Sequence, residues 1–287
     1  MKRHGMVMRA TAKTTACEDT GFGIKTNTGA FAGVFDGSSL SNVSRKQFPL
    51  LRTDMGAAII GRAAANAAMS VLGGVQVDDV AQHIQQEQLS ALDIVGPVLG
   101  FNTMEWAATS VWGLVNDGCL SMHMRGDGAF AREIRHGEKQ LLCLTRYEFK
   151  GSMPPYLSMT EEEYIAAMGG DENAELVTET LAFIERGENG YTDSGSVKTR
   201  TRKRSLKFAA HGVNRTYRDL STTLSYGVAT DGVCDITGIE WWKVLAAAWD
   251  VRVNALLEPL LVERLRKLIG GAPLNLGDDV AIEKVVL

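Results

Sequence analysis

The sequence predicts an α+β fold in which antiparallel strands and helices occupy separate stretches of the chain. Three observations indicate this class. Short β-rich segments separated by Gly, Asn and Thr open the chain, two alanine- and leucine-containing helical stretches follow, and further strands are joined by tight-turn sequences such as "NDG". Blocks of strands followed by blocks of helices, without a regular strand–helix repeat, are typical of α+β proteins.

The first third contains three predicted strands and two predicted helices. The strands lie in "MVMRAT", "TGFGIKT" and "GAFAGVFD", the last of which ends at Asp36. Apolar residues then recur at helical intervals in "DMGAAIIGRAAANAAMSVL" and, after a Gly-Gly break, in "VDDVAQHIQQEQLSALDIV". We expect these two helices to pack as an antiparallel pair.

The middle of the chain returns to strands. Extended runs from "MEWAATSVWGLVND" to "LLCLTRYEF" are joined by "NDG", "GDG" and "HGE". Asn, Asp and Gly tolerate the positive φ that two-residue hairpin turns require. We therefore expect an antiparallel meander here.

Residues 151–220 are predicted to contain both helices and a polar, irregular stretch. Helical patterns occur in "TEEEYIAAM" and in "NAELVTETLAFIER", and a polar stretch, "GENGYTDSGSVKTRTRKRSLK", follows. Six of the ten residues from Lys198 to Lys207 are basic. This basic segment is either a solvated mobile loop or a surface that attracts an anionic substrate or partner.

The last part of the chain predicts a strand, two helices and a final strand. The strand "TTLSYGVATDGV" ends in Asp-Gly, and the helices lie in "IEWWKVLAAAWDV" and "VNALLEPLLVERLRKLIG". Pro259 should kink or divide the second of these helices. An alternating strand, "VAIEKVVL", follows the acid pair of "GDD".

Composition and charge narrow the function classes. The chain has 287 residues, and its formal net charge of -4 gives no overall attraction to nucleic acid or anionic membrane. Its four cysteines form no CxxC pair, so neither a zinc site nor a disulfide framework is indicated. No signal peptide and no apolar run of membrane-span length is apparent. These features predict a cytoplasmic protein.

Acidic residues recur at the predicted strand ends. Each alone is explained by a turn, because Asp and Gly are common turn residues. Together, on one sheet edge, their repulsion would require cations, and an all-oxygen shell suits Mg²⁺ or Mn²⁺ better than zinc. The positions are Glu18-Asp19, Asp36-Gly37, Asp127, Asp231-Gly232 and Asp278-Asp279.

The ordered set of these motifs resembles the metal-dependent protein phosphatases of the PPM or type 2C family. "CEDTG", "GVFDG", "MRGDGAFA", "ATDGV" and "GDDVAI" follow the order of that family's motifs from about residue 5 to residue 286. The resemblance implies a four-layer α-β-β-α sandwich, in which two packed antiparallel sheets are flanked by antiparallel helix pairs. It also implies one catalytic domain over residues 1–287, monomeric, with a variable flap at about 147–220.

The resemblance further implies the roles of the acidic residues. Asp36 would bridge two metal ions, and the backbone carbonyl of Gly37 would bind one of them. Asp231 and Asp278 would complete the shell of the other ion, so that Asp36, Asp231 and Asp278 are the catalytic candidates. The remaining metal candidates are Glu18 and Asp19 near the first ion, and Asp127, which with Asp231 would hold a third, weaker ion.

The activity implied is hydrolysis of phosphoserine and phosphothreonine in proteins, with a partner kinase supplying the substrate. Two ions about 3.5 to 4 Å apart would share a water and make hydroxide available near neutral pH. Two rival functions stay open. One is a catalytically impaired relative that binds phosphoproteins as a regulatory module, and the other is a phosphohydrolase of small molecules.

Three of the departures from the family pattern concern substrate or metal binding. Ser38 and Ser39 stand where many members have a histidine and a glycine, and serine is a poor general acid at neutral pH. Thr14 stands in place of a phosphate-binding arginine, with Lys13 beside it, so Lys13 and Ser38 are the candidate substrate-binding residues. Asp279 replaces an asparagine, and it would either tighten metal binding or simply be solvated.

Overall fold

Two antiparallel β-sheets form the framework of the protein. The structure, a computed structural model, describes residues 2–10, 17–37, 53–99, 108–152, 154–251 and 257–287. The large sheet has the strand order β1 (Lys2–Met8), β12 (Val280–Val286), β11 (Thr223–Ala229), β6 (Gly128–His136), β7 (Lys139–Phe149), β8 (Val177–Glu185) and β9 (Val197–Arg204). The small sheet has the order β10 (Val213–Tyr217), β5 (Cys119–Arg125), β4 (Ser110–Asn116), β3 (Ala30–Asp36) and β2 (Asp19–Lys25).

A helix pair covers the outer face of each sheet. Helices α1 (Thr53–Leu72) and α2 (Val80–Leu99) pack on the small sheet. Two shorter helices, α3 (Glu161–Ala167) and α4 (Leu206–Ala210), lie in the stretch between β7 and β10. Helices α5 (Trp241–Asp250) and α6 (Leu257–Leu268) pack on the large sheet. The predicted four-layer α-β-β-α sandwich is therefore confirmed.

The core between the two sheets is apolar, and one tyrosine forms a hydrogen bond across it. Val34 of β3, Val111 of β4 and Val228 of β11 are buried in this layer. The Tyr226 hydroxyl crosses it and donates a hydrogen bond to the backbone carbonyl of Ala30 (2.8 Å). A buried hydroxyl that finds such a partner avoids the cost of an unpaired polar group, and it fixes how the sheets face each other.

The hairpin predicted at "NDG" is confirmed. Asn116 pairs with Cys119, which leaves Asp117 and Gly118 as a two-residue loop between β4 and β5. Both loop residues have positive φ, 48° for Asp117 and 73° for Gly118. This conformation suits the right-handed twist of the flanking strands, and Asp and Gly adopt it at little cost.

The predicted helix in "NAELVTETLAFIER" is wrong, since these residues form strand β8. Val177 and Glu179 are buried on one face of β8, whereas Ala182 and Ile184 are buried on the other. Pairing with β7 runs along the whole strand. The β-branched residues fit a pleated surface with neighbours on both sides, and this tertiary pairing outweighs the local helical pattern.

The basic segment is not a loop. Val197–Arg204 forms β9, which pairs antiparallel with β8 and lies at the edge of the large sheet. Basic residues alternate with threonines along it, and threonine favours strands. The interpretation of this segment as a solvated mobile loop is therefore wrong.

Pro259 does not divide the helix that the structure describes. Helix α6 begins at Leu257, and Pro259 lies in its first turn, where a backbone N–H has no partner within the helix. The predicted kink would fall on residues 252–256, which lie outside the described residues.

Helix α1 contains an apolar run of membrane-span length. Met55–Leu72 has a mean hydropathy of 1.3 over 18 residues, and it is the one such helix among the described parts of the chain. We expected no run of this kind, and that expectation is wrong. More than half of the run, 56%, is buried in the protein, where alanines such as Ala64 and Ala68 pack under the small sheet. A core helix passes the same test of length and composition.

Candidate metal centre

The acidic strand ends meet at one end of the sandwich. Asp19, which opens β2, pairs directly with Asp36, which ends β3. The Gly37 N–H donates to the Glu18 carbonyl (3.1 Å), so the two chain segments stay together beyond the strands. The antiparallel register of β11 and β12 brings the end of β11, before Asp231, next to the start of β12, after Asp278.

These residues line one open cavity of about 530 Å³. All the predicted metal ligands except Asp19 contribute to its wall. They are Glu18, Asp36, Gly37, Asp127, Asp231 and Asp278. Asp19 lies just behind the wall, where it is buried and accepts a hydrogen bond from the Thr230 hydroxyl (2.6 Å). The sequence prediction therefore names residues that the fold does bring together.

The glycine that follows Asp231 has a packing role. A Cβ at Gly232 would collide with the backbone carbonyl of Asp279. Only glycine lets the turn after β11 approach the segment before β12 this closely. Gly232 therefore helps to hold Asp231 and Asp278 on the same wall.

The cavity concentrates negative charge. Burial, followed by the charges of Asp19 and Asp231, raises the pKa of Asp36 well above its ordinary value. Burial and the charge of Asp231 raise the pKa of Asp127 in the same way. For Asp19, burial is again the main cause and raises the pKa to about 7. Such shifts indicate carboxylates that lack enough positive charge around them.

The carboxylates fit a hard divalent cation by their chemistry. Their oxygens are the ligands that Mg²⁺ and Mn²⁺ prefer, and the unbalanced charge would be neutralised by such ions. Within the described ranges, no three side chains of His, Cys, Asp or Glu enclose one point as a ready-made ion site. The side chains thus share a cavity without closing around an ion.

Comparison with known proteins adds evidence on the fold. No family model and no curated protein matches the sequence. Among solved structures, serine-threonine phosphatase 2C from Toxoplasma gondii is 15% identical, with a TM-score of 0.51, and the match covers 98% of this chain and 94% of that one. The chain has the type 2C phosphatase fold.

Two further solved structures are also similar to this chain. RsbX in complex with magnesium is 13% identical (TM-score 0.45), and the match covers 98% of this chain and 92% of RsbX. The catalytic domain of the phosphatase PstP, with two manganese ions, is 13% identical (TM-score 0.46), with coverage of 99% and 96%. The Toxoplasma gondii protein and PstP are both serine/threonine phosphatases.

Of the two roles expected of Asp279, simple solvation is wrong, and tighter metal binding stays a prediction. Its side chain is buried, and its carboxylate accepts hydrogen bonds from the N–H groups of Ala10 (2.6 Å) and Glu18 (2.7 Å). Asp279 is therefore not simply solvated. It ties the start of β12 to the chain on both sides of residues 11–16, and so it helps to place Glu18 in the cavity wall.

Two predicted residues cannot be placed in this type 2C fold. Lys13 and Ser38, the candidate substrate-binding residues, lie outside the described residues, as do Thr14 and Ser39. Their roles stay predictions.

Two functional candidates were missed by the sequence reasoning. Arg146 of β7 lines the cavity, and its Nε is buried with no hydrogen-bond partner among the described residues. Thr230 holds Asp19 through its hydroxyl. Thr230 could have been suspected from its place beside Asp231 in "ATDG", whereas Arg146 lies in a strand without any motif.

The stability of the metal-free protein should fall as the pH rises from about 6.5 to about 8. The pKa of Asp19 is raised from 3.8 to about 7, and those of Asp36 and Asp127 are raised as well. The folded state therefore binds more protons than the unfolded state, and the free energy of unfolding decreases as these protons leave. Below about pH 6.5 the buried His123, whose pKa burial lowers to about 4, acts in the opposite sense.

Thermal unfolding in EDTA across this pH range measures the effect. The expected result is a falling melting temperature, and Mn²⁺ should restore stability at the higher pH because an ion that binds only the folded state stabilises it. A melting temperature that rises with pH in EDTA would contradict the assignment of raised pKa values.

Proposed function

We propose that the protein is a Mg²⁺- or Mn²⁺-dependent phosphatase that hydrolyses phosphoserine and phosphothreonine in proteins. One observation carries the proposal. Carboxylates from both ends and the middle of the chain line a single cavity in a type 2C fold. Cation binding would offset the repulsion among the carboxylates that the fold gathers around this cavity.

The residues that would hold the ions follow the family pattern. Asp36 and the Gly37 carbonyl, together with Asp231, Asp278, Glu18 and Asp19, would hold two ions. Asp127 would join Asp231 at a third, weaker site. Bound ions supply Lewis-acid activation of water and of the phosphoryl group near neutral pH.

The protein's own groups would orient the substrate. The buried Nε of Arg146 lacks a partner among the described residues, and its guanidinium lines the same cavity as the acids. A guanidinium presents two parallel N–H donors that match two phosphoryl oxygens, a fixed geometry that an ammonium lacks. Arg146 would thus bind the phosphoryl group in place of the arginine that Thr14 replaces, and Lys13 would be a second phosphate-binding residue.

The proposal also covers the domain bounds, the flap and the cellular location. Residues 1–287 would form one monomeric catalytic domain with a flap at about 147–220. Tyr147, Phe149 and Tyr156 of this region line the cavity, which supports a role for the flap beside the substrate. The enzyme would act in the cytoplasm on proteins that a partner kinase has phosphorylated.

A second candidate function is a phosphoprotein-binding module without turnover. The observation in its favour is that the described side chains do not enclose a ready-made ion site. This candidate predicts binding of a phosphopeptide without hydrolysis.

A metal-dependent assay distinguishes the candidates. The purified chain is incubated with EDTA, Mg²⁺ or Mn²⁺, and with either p-nitrophenyl phosphate or a phosphothreonine peptide. Metal-dependent turnover of the peptide is the expected result. No turnover of either substrate would favour the binding module, and turnover of p-nitrophenyl phosphate alone would favour a small-molecule phosphohydrolase.

Replacing Arg146 with Ala should lower kcat/KM for both substrates by about 100-fold, because loss of one charged donor to a transition-state oxyanion typically has an effect of this size. The kcat/KM of Arg146→Lys should lie between the values of the wild type and of Arg146→Ala, because lysine keeps the charge and loses the bidentate geometry. The matched control is Arg132→Ala on the neighbouring strand β6, where the guanidinium stacks on Tyr217 and does not line the cavity. Wild-type kcat/KM in Arg146→Ala would remove Arg146 from the site.

A further inference from the structure

The outer edge of β9 carries an unbalanced positive charge. Five of its eight residues are basic, and the neighbouring strand β8 offers them a single carboxylate partner, Glu179. Lys198 and Arg200 are exposed and make no ion pair within the described part of the chain. No strand among the described residues pairs with the other side of β9. An open strand edge and an excess of cations therefore coincide.

Three arginines are held in place around Glu179. The carboxylate of Glu179 is fully buried and accepts hydrogen bonds from Arg202, from Arg204 (2.8 Å) and from Arg215 of β10. The Arg204 guanidinium also lies 4.6 Å from the ring centroid of Phe208. Three positive charges face one negative charge, and all three arginine side chains remain partly exposed. This group therefore keeps an excess of positive charge that is accessible to a further anion.

The face of β9 that carries these cations also presents apolar surface. In the register with β8, Lys198 lies opposite Phe183 and Arg200 lies opposite Leu181. Phe183 is 40% exposed, which makes it one of the large apolar side chains at the surface. A partner on this face would meet the cations of β9, with the apolar side chains of β8 beside them.

We propose that the outer edge of β9 binds an extended acidic segment of a partner protein, which adds to the large sheet as a further strand. Main-chain hydrogen bonds to the open edge would give affinity, and acidic side chains at every second position would pair with Lys198, Arg200 and the exposed parts of Arg202 and Arg204. The occupant is defined by its charge, because an edge with five cations attracts an acidic strand and repels a basic one.

Protection against aggregation alone does not account for this edge. Charged residues on an edge strand do prevent unwanted pairing, and scattered exposed lysines are enough for that purpose. Here two of the cations are arginines fixed by a buried carboxylate and one is also fixed by an aromatic ring. Side chains ordered in advance lose less entropy on binding, which is typical of a recognition surface.

This surface adjoins the proposed catalytic cavity through one residue. The Tyr147 hydroxyl donates to Glu179 (3.0 Å), and Tyr147 also lines the cavity. The inference concerns binding alone and does not depend on the proposed phosphatase activity. It is therefore tested with metal-free protein and with peptides that carry no phosphate.

The test measures peptide binding to the full chain by fluorescence anisotropy in EDTA at low salt. The probe is a labelled peptide of about ten residues in which Glu and Thr alternate, a length typical of a strand. One control peptide alternates Lys and Thr. Another keeps the glutamates and replaces the threonines with prolines, so that the charge is the same but the backbone cannot pair.

The variant K198E/R200E reverses two exposed cations that do not contact Glu179. We expect it to bind the Glu-Thr peptide at least about tenfold more weakly, since two attractive pairs become repulsive. The matched control, K2E/K25E, makes the same charge change at exposed lysines on the edge strands β1 and β2. It should bind as the wild type does, and both variants should keep the wild-type melting temperature.

Four results would overturn the proposal. They are the absence of binding by the wild type, equal binding by K198E/R200E, equal weakening by K2E/K25E, and equal binding of the proline peptide. The last would show a polyanion-binding surface without strand pairing. Amide exchange gives an independent check, because strand addition should slow exchange along β9 in the presence of the Glu-Thr peptide and not of the proline peptide.

Discussion

Replacing Asp36 with Asn should reduce kcat/KM for phosphatase activity by at least about 1,000-fold and should leave the metal-free protein as stable as the wild type or more stable. The activity is lost because the bridging ligand of the proposed ions is removed, an effect worth several kcal/mol in the transition state. Stability is kept because a neutral amide of the same shape replaces a buried carboxylate whose pKa is raised by burial and by Asp19 and Asp231.

Two measurements on this variant test different claims. Steady-state kinetics with Mn²⁺ reports the catalytic role, and thermal unfolding in EDTA near pH 8 reports the charge repulsion. Asp78→Asn is the control, because Asp78 is exposed ahead of α2 and does not line the cavity. Activity close to that of the wild type in Asp36→Asn would refute the metal mechanism. A large fall in melting temperature would refute the claim that the Asp36 carboxylate is repelled by its neighbours in the metal-free protein.

Replacing Glu179 with Gln should destabilise the protein by about 3 to 5 kcal/mol, the cost of leaving a buried charge cluster without its partner. Glu179 joins β8 to β9 through Arg202 and Arg204, and to β10 of the small sheet through Arg215. Its removal therefore leaves guanidinium groups facing one another at the junction of the two sheets. We expect the melting temperature to fall by on the order of 10 °C.

The effect of Glu179 should depend on pH in a defined way. Burial raises the pKa of Glu179, but hydrogen bonds from Arg202, Arg204 and Tyr147 outweigh this and bring it to about 2. A depressed pKa gives stability that is present above the unfolded value of about 4.5 and is lost as the pH falls toward 2. The difference in unfolding free energy between wild type and Glu179→Gln should thus shrink on acidification.

A second glutamate on β8 provides the control. Glu185 pairs with Lys139 at the surface (2.8 Å), and both side chains are partly exposed. Glu185→Gln should change the free energy of unfolding by less than about 1 kcal/mol. If Glu179→Gln were as mild as this, the three arginines would have to be stabilised mainly by solvent, and the ordered cluster described at β9 would not exist.

Much of the fold could be predicted because its strands and turns carry local signals. The Asp117-Gly118 hairpin and the strand that ends at Asp36 depend on residues next to one another in the sequence. Strands β8 and β9 could not be predicted in this way. Val177, Leu181 and Ile184 lie at positions i, i+4 and i+7, a pattern that also suits a helix, and only pairing with β7 selects the strand.

The residues of the candidate site also differ in whether the local sequence identifies them. Asp36 and Asp231 were predictable because each follows an apolar strand and precedes glycine, a pattern visible in the sequence alone. Arg146 was not, since it lies within β7 between threonine and tyrosine and reaches the cavity only through the packing of the large sheet. The anchoring role of Asp279 was hidden for a similar reason, because its partners Ala10 and Glu18 lie far away in sequence.

The position of β12 has a consequence for how the protein is made. This strand inserts between β1 and β11, and Asp278 and Asp279 immediately precede it. Asp36 is therefore made early, and for most of the synthesis the nascent chain lacks the segment with Asp278 that completes the cavity wall. Pairing of β1 must wait for residues some 280 positions later, a long-range closure that slows folding. The centre can thus form only after translation has passed its last acidic pair, so that a truncated product would carry no complete site.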